Sequence, residues 1–395
     1  MLLALALLSA IAPLATDMYL PGLPALGDDL GTTTSTVQLT LTTFMAGLGI
    51  GQLVVGPLSD GWGRRKLLLG GTVAFAISGV LCALAPSAEV LIAARLLQGL
   101  SGGAAIVLAR AVIADRATGD LAAKLFSIMM IIGGVAPVVA PLLGGALLGP
   151  IGWRGIFWVL TGAGVLMVVG VAALIPETLP TERRHGGGLT ALVRNVRYVV
   201  GNRSYVGYAL TFMFGFGALF SYISASPFVV QDVLGLTPGQ FSIVFGVNSM
   251  GIVGGSIVNT RLIGHFHARQ LLTFGVLMLL TAGTLLTLEV TVGGAHRWVV
   301  LPLLFVTTTA IGFVMGNATA LGQSEVSQAA GTGSALMGAG QFGLAALVSP
   351  LVGGSATGMA TSILVCAAIA VTALLTLTRR AVDAPRTRVT EPASV

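Results

Sequence analysis

The chain has 395 residues, of which 55% are hydrophobic and 9% charged, and its mean hydropathy is +0.95. Soluble domains carry about a quarter charged residues, so this composition leaves too few polar groups to cover a water-facing surface and requires an integral membrane protein. The net charge of +6 comes from basic residues in short spacers between apolar runs, which argues against a nucleic-acid partner, and the two cysteines, Cys82 and Cys366, sit inside apolar stretches with no metal-ligand spacing or disulfide framework.

A spanning helix needs roughly 20 apolar residues. Twelve runs qualify, at 2–22, 39–59, 67–86, 90–113, 126–149, 153–176, 204–228, 239–263, 269–290, 299–320, 332–354 and 358–378. The opening "MLLALALLSAIAPLA" lacks a preceding basic segment, so it reads as a span rather than a cleaved leader, and it leaves room for a start upstream of Met1. The longest internal polar spacer predicts a division into an N-terminal six-helix bundle (1–178), a cytoplasmic linker (179–203), a C-terminal six-helix bundle (204–378) and a cytoplasmic tail (379–395). With the N-terminus inside, 16 of the 20 basic residues fall on the inner side. Arg154 and Arg297 fall outside, and Arg95 and Arg110 lie within the fourth span. This asymmetry predicts a multi-pass cell-membrane protein with both termini cytoplasmic. The halves echo each other: "GQLVVGPLSDGWGRRKLLLGG" from Gly51 parallels "GSIVNTRLIGHFHARQLLTFG" from Gly255, and "PLLGG" at Pro141 parallels "PLVGG" at Pro350. Two parallel repeats follow, as in rocker-type transporters.

In chain order, the first span carries Asp17 near its outer end, and the fourth, running the opposite way, carries Arg95 near its outer start. Each is about five residues from that end, so at ~1.5 Å per residue the two share one depth. A central charge costs roughly 2.5–3.5 kcal/mol on insertion scales, so Arg95 needs a partner or water. Both are expected to face the interior as a switchable pair in which a proton on Asp17 competes with Arg95. A static ion pair that only fixes packing, or an Asp17 solvated at the interface, are the plainer alternatives.

Between the second and third spans, "GPLSDGWGRRKLLL" sets Asp60 before Arg64, Arg65 and Lys66, with glycines that permit a tight turn. In the fifth span, "GGVAPVVAPLLGGALLG" combines small residues at spacing four with helix-bending prolines. In the seventh span, Tyr208, Phe212, Phe216 and Tyr222 lie about a turn apart beside glycines, which suits a pocket for flat apolar molecules and equally suits plain packing. Gln38, Gln98, Asn248 and Gln341 are amides inside apolar runs, and each needs a partner, supplied by another helix or by a ligand. There is no phosphate-binding loop and no hydrolytic or metal-ligand cluster, so neither an enzyme nor a cofactor is expected.

Taken together, these strings resemble the major facilitator superfamily. Gly56, Leu58, Asp60, Gly63, Arg64 and Arg65 match the motif between its second and third helices, with Ser59 in place of the usual alanine and Gly61 in place of its first arginine. Arg95, Gln98 and Gly99 match its fourth-helix motif. Pro141, Gly144 and Gly145 match its antiporter motif, with Ala140 replacing the first glycine. "TDMYLP", "STVQLTLTTF" and "GWRGIFWV" are similar to the bicyclomycin/chloramphenicol-resistance (Bcr/CflA-type) drug:proton antiporters. The likeness covers much of the N-terminal half, whereas the C-terminal half follows the superfamily only in pattern.

The resemblance implies an all-α membrane protein with twelve transmembrane helices in two pseudo-symmetric six-helix bundles. It implies proton coupling through Asp17 and Arg95, and a cytoplasmic latch of Asp60, Arg64, Arg65 and Asp115. The candidate drug contacts are Asp17, Tyr19, Gln38, Arg95, Gln98, Phe212, Phe216, Tyr222, Asn248 and Gln341. The expected activity is export of small amphipathic antibiotics in exchange for protons by a monomer in the lipid bilayer, a phenicol such as chloramphenicol or florfenicol first, bicyclomycin or a multidrug range second. A solute importer or uniporter on the same fold is the first rival reading, and a non-transporting membrane scaffold is the second.

Overall fold

The computed structural model describes residues 2–117, 119–180 and 189–378. Arg183, Arg184 and the tail 379–395 with its arginines, counted in the charge asymmetry, lie outside the described residues. The regular elements are helices. In the N-terminal half they are α1 (Leu2–Asp17), α2 (Leu23–Asp29), α3 (Thr34–Trp62), α4 (Arg64–Ala83), α5 (Ala88–Arg116) and α6 (Gly119–Leu174). Then follow α7 (Leu189–Gly201), α8 (Arg203–Phe228), α9 (Pro238–Leu262), α10 (Ala268–Leu288), α11 (Arg297–Glu325), α12 (Ala330–Val352) and α13 (Ala356–Leu377).

Among the described residues, eleven segments are long and apolar enough to cross a membrane, and one of them, Ile132–Leu174, has 43 residues. As a straight helix it would measure about 65 Å, twice the ~30 Å hydrocarbon core. It bends at Gly152, whose φ of 65° is not helical, just after Pro150. It is therefore the fifth and sixth spans joined without a loop, and the chain makes twelve crossings in two six-helix bundles.

The first span runs past its expected end at 22. A 3₁₀ turn at Leu20–Gly22 leads into α2, because Pro21 and Pro24 bring no N–H and break the ladder without ending the crossing. The second span starts earlier than expected, where the Thr33 hydroxyl accepts the Thr36 N–H at 3.3 Å and caps α3. Within the stretch read as linker lies α7, whose Val199 is buried in one cluster with Tyr205 and Val326 of the C-terminal half.

Lipid provides no hydrophobic drive between helices, so small residues that let backbones approach decide the packing. Gly47 and Gly51 of α3 meet Gly99 and Gly103 of α5 in this way, and Gly255 of α9 meets α11 in the second half. The halves touch along two seams, α3 with α12 and α6 with α9. Gly144 of α6 is tighter still: a Cβ there would fall on the Met18 carbonyl oxygen, and one on Gly145 would fall on the Ser242 hydroxyl of α9. The Pro141–Gly145 string thus sits where the first, fifth and eighth spans converge.

Gly144→Leu is expected to destabilise the fold by about 1–3 kcal/mol or more, since neither backbone can yield. The thermal midpoint and gel-filtration profile in detergent check this, with Gly149→Leu, where no atom lies within 4 Å of the new Cβ, leaving both unchanged.

Candidate functional site

A cavity of about 930 Å³ lies between the halves. Its wall comes from both halves: Ser9, Pro13 and Asp17 of α1, Ile106 and Arg110 of α5, Phe216, Phe220 and Tyr222 of α8, and Phe245 of α9 are among the lining residues. Gln323 and Ser334, near the ends of α11 and α12 beside the basic spacers, also line it, so it reaches the end of the bundle that carries Arg64 and Arg65. Ser9, Pro13 and Asp17 recur every four residues, which is one face of a helix.

The cavity is sealed at the opposite end by hydrogen bonds between the halves. Gln38 Nε2 donates to the Ser224 and Gly353 carbonyls at 3.1 and 2.8 Å, Ser349 donates to the Gln38 carbonyl at 3.4 Å, and Gln231 Nε2 donates to the Pro21 carbonyl at 3.2 Å. Gln38 is fully buried there, and its amide serves the seal rather than the cavity wall.

Asp17 is the last residue of α1, at the sealed end of the cavity. Among the described residues its carboxylate has no ion-pair or hydrogen-bond partner. The expected Asp17–Arg95 ion pair is not formed. Arg95, with no exposed surface, instead lies in an aromatic box, its guanidinium carbon 4.5 Å from the Tyr19 ring centroid, 4.0 Å from Phe44 and 5.8 Å from Phe157. Its Nη1 donates to Gln98 Oε1 at 2.6 Å and its Nε to the Thr40 carbonyl at 3.4 Å, while Nη2 has no partner. Tyr19 itself hydrogen-bonds Thr40 at 3.1 Å. The reason is rotational: equal depth brought acid and base to one level, but the chain leaves α1 at Asp17, and the next residues turn Tyr19 onto the guanidinium. The faces of the rings supply the electrostatic attraction that a carboxylate was expected to give.

The other candidates divide in two. Phe216 and Tyr222 line the cavity in an aromatic cluster: Phe216 stacks on Phe220 at 6.2 Å and meets Phe342 edge-on at 5.9 Å, and Tyr222 stacks on Phe245 at 5.4 Å. Asn248 stands behind Tyr222 and donates to its hydroxyl at 2.8 Å. Tyr19, Arg95 and Gln98 lie behind the wall, and Phe212 is buried in a separate cluster with Tyr205 and Tyr208. Gln341 is not among the lining residues; its neighbour Phe342 is. The sequence reading left out the cavity-facing Arg110, Phe220, Phe245 and Ser249. Phe245, Ser249 and Ile252 repeat at helical spacing on α9, and that periodicity was the available signal.

At the basic end, Gly63 alone separates α3 from α4, and its φ of 92° favours glycine. Arg64 lies between two acids: Nη1 is 2.7 Å from Asp60, Nε is 3.2 Å from Asp115, and Nη1 also donates to the Ser59 hydroxyl. Thr178 donates to the same Asp115 oxygen at 2.9 Å. Arg65 turns away and donates to the Ala172 carbonyl at 2.8 Å. Glu177 accepts the first N–H groups of α4, from Arg64 at 2.9 Å and Arg65 at 3.3 Å. Burial pushes the Glu177 carboxyl up, but N–H donors from Leu179, Arg64, Arg65 and Thr178 outweigh it and hold it below its ordinary value. A helix that opens on three cations, Arg64, Arg65 and Lys66, thereby gains the anion its N-terminus favours.

The model of the Major Facilitator Superfamily matches residues 5–350. The chain is 42% identical over 88% of its length to a Bacillus subtilis protein named "Uncharacterized MFS-type transporter YdgK", covering 87% of that protein. It is 30% identical over 96% of its length to the "Bicyclomycin resistance protein homolog" of Haemophilus influenzae, covering 96% of it. It is 33% identical over 70% of its length to a "Chloramphenicol resistance protein" of Pseudomonas aeruginosa, covering 65% of it. Its fold matches the crystal structure of a D-xylose-proton symporter with a TM-score of 0.74 at 17% identity, over 96% of this chain and 97% of that one. With the family model spanning nearly the whole helical bundle and the two six-helix halves enclosing a central cavity, the chain belongs to the major facilitator superfamily of multi-pass membrane transporters.

Proposed function

We propose that the protein exports small amphipathic antibiotics in exchange for protons, a phenicol such as chloramphenicol or florfenicol first and bicyclomycin or a wider multidrug range second. The observation that carries this reading is Asp17, an acid with no partner among the described residues at the sealed end of a largely aromatic and aliphatic cavity. A carboxylate held by no donor and no cation is free to exchange its proton with whatever enters. A cavity of about 930 Å³ lies within the range of ligand sites, roughly 300–1,000 Å³, and its aromatic faces suit flat apolar rings. The names carried by two relatives, bicyclomycin and chloramphenicol resistance, favour the drug class.

In this reading both termini are cytoplasmic, residues 1–178 and 204–378 act as the two moving bodies, and the cavity is open to the cytoplasm. Drug enters from the Arg64 end and reaches Asp17; the halves rock; the Gln38 seal opens; drug leaves outward and a proton takes its place on Asp17. Arg95 acts from behind the wall: its fixed charge orients Tyr19, the residue two beyond Asp17. The Arg64–Asp60–Asp115 cluster is the cytoplasmic latch, joining the second-to-third turn to the ends of the fourth and sixth spans. The functional unit is a monomer.

Asp17→Asn keeps the side chain's size and severs no hydrogen bond, so it is expected to fold normally and to lose drug-driven proton flux in proteoliposomes containing a pH-sensitive dye. Undiminished flux would remove the coupling role. Drug accumulation in pump-deleted cells separates export from import, because an importer raises uptake. Asp115→Asn removes one acid partner of Arg64; transport is expected to fall severalfold while drug binding to purified protein is unchanged. Equal losses in both assays would reduce the cluster to a structural support.

A further inference from the structure

Three charged side chains among the described residues lie in the spans away from the bundle's two ends: Asp17, where α1 gives way to the turn before α2, and Arg95 and Arg110 within α5. The exchange scheme uses the first two. Arg110 is exposed, it lines the cavity, and no described residue hydrogen-bonds or ion-pairs with it. Among the described residues Asp17 is the one acid that lines the cavity.

The two are far apart. Arg110 follows Arg95 on α5 by about four turns, or about 22 Å. Arg95 stacks on Tyr19 at 4.5 Å, two residues from Asp17. Asp17 and Arg110 are therefore separated along the bundle by roughly 20 Å, more than one small drug can bridge. The cavity has two polar stations, and a molecule arriving from the open end meets Arg110 before Asp17. Among the described residues the neighbouring wall, Ile106, Met129 and Gly133, offers no competing acceptor side chain.

A guanidinium with no partner among the described residues, in a mostly apolar channel, sets a field that repels cations. Its planar fork matches groups that present two oxygens in one plane, such as nitro, sulfonyl or carboxylate. We propose that Arg110 is a specificity-determining residue, which admits uncharged or anionic amphiphiles bearing a planar two-oxygen acceptor and turns away lipophilic cations. The proposal rests on the export reading and places selectivity at the open end, apart from proton exchange.

The test is equilibrium binding to full-length protein in nanodiscs with three probes: chloramphenicol, 4-nitrobenzoate and tetraphenylphosphonium. Wild type is expected to bind the first two and to exclude the third. Arg110→Ala should weaken both nitro compounds roughly tenfold to a hundredfold, the worth of a charge-assisted hydrogen bond, and should admit the phosphonium. Arg110→Lys should keep the cation out but recover only part of the nitro affinity. If Arg110→Ala does not purify, Arg110→Gln is read in the same way. Failure of wild type to bind 4-nitrobenzoate, unchanged affinities in the alanine variant, or an equal loss for every probe would each overturn the proposal. A normal probe order in wild type without drug-driven proton flux would instead sink the export reading and leave the role of Arg110 standing.

Discussion

Hydrocarbon solvates no charge, and the position of every ionisable group in this protein answers to that constraint. Most stay at the helix ends. The three that enter the spans find three different substitutes for water. Arg95 is wrapped in the faces of Tyr19, Phe44 and Phe157 and bonded to Gln98. Asp17 and Arg110 open onto a cavity instead. The same constraint on the backbone makes every crossing helical, and it lets prolines at 21 and 24 bend the first span rather than end it.

These substitutes divide the labour. A cation held by three rings and an amide is fixed in place behind the cavity wall. Asp17 has no hydrogen-bond or ion-pair partner among the described residues and borders the cavity instead. The base lies against the ring of Tyr19, two residues beyond the acid, and among the described residues it makes no ion pair with Asp17. The basic end follows a different rule. There water is at hand, and Arg64 pairs with Asp60 and Asp115, Arg65 reaches the Ala172 carbonyl, and Glu177 takes the first N–H groups of α4.

The spans were legible because hydropathy is local: a run of apolar residues needs no knowledge of its neighbours. The join at Gly152 was not, because a lone glycine after a proline looks like a loop. Depth was legible too, since helical rise gives the height of Asp17 and Arg95 directly. Azimuth was not. One residue turns a helix by about 100°, which is the difference between Gln341, outside the lining, and Phe342, within it. The same ambiguity hid Arg110, a charge noticed in the fourth span but given no task, because only the packed bundle shows which side of α5 faces the opening.

The contact between Gly144 and Met18 has a mechanical meaning. The fifth span presses on the main chain one residue from Asp17, while the adjacent Gly145 bears on Ser242 across the divide. With no side chain at either glycine to act as a cushion, any sliding of the eighth span against the fifth would bear directly on the peptide beside the acid. The junction is a lever arm whose short end holds the carboxylate.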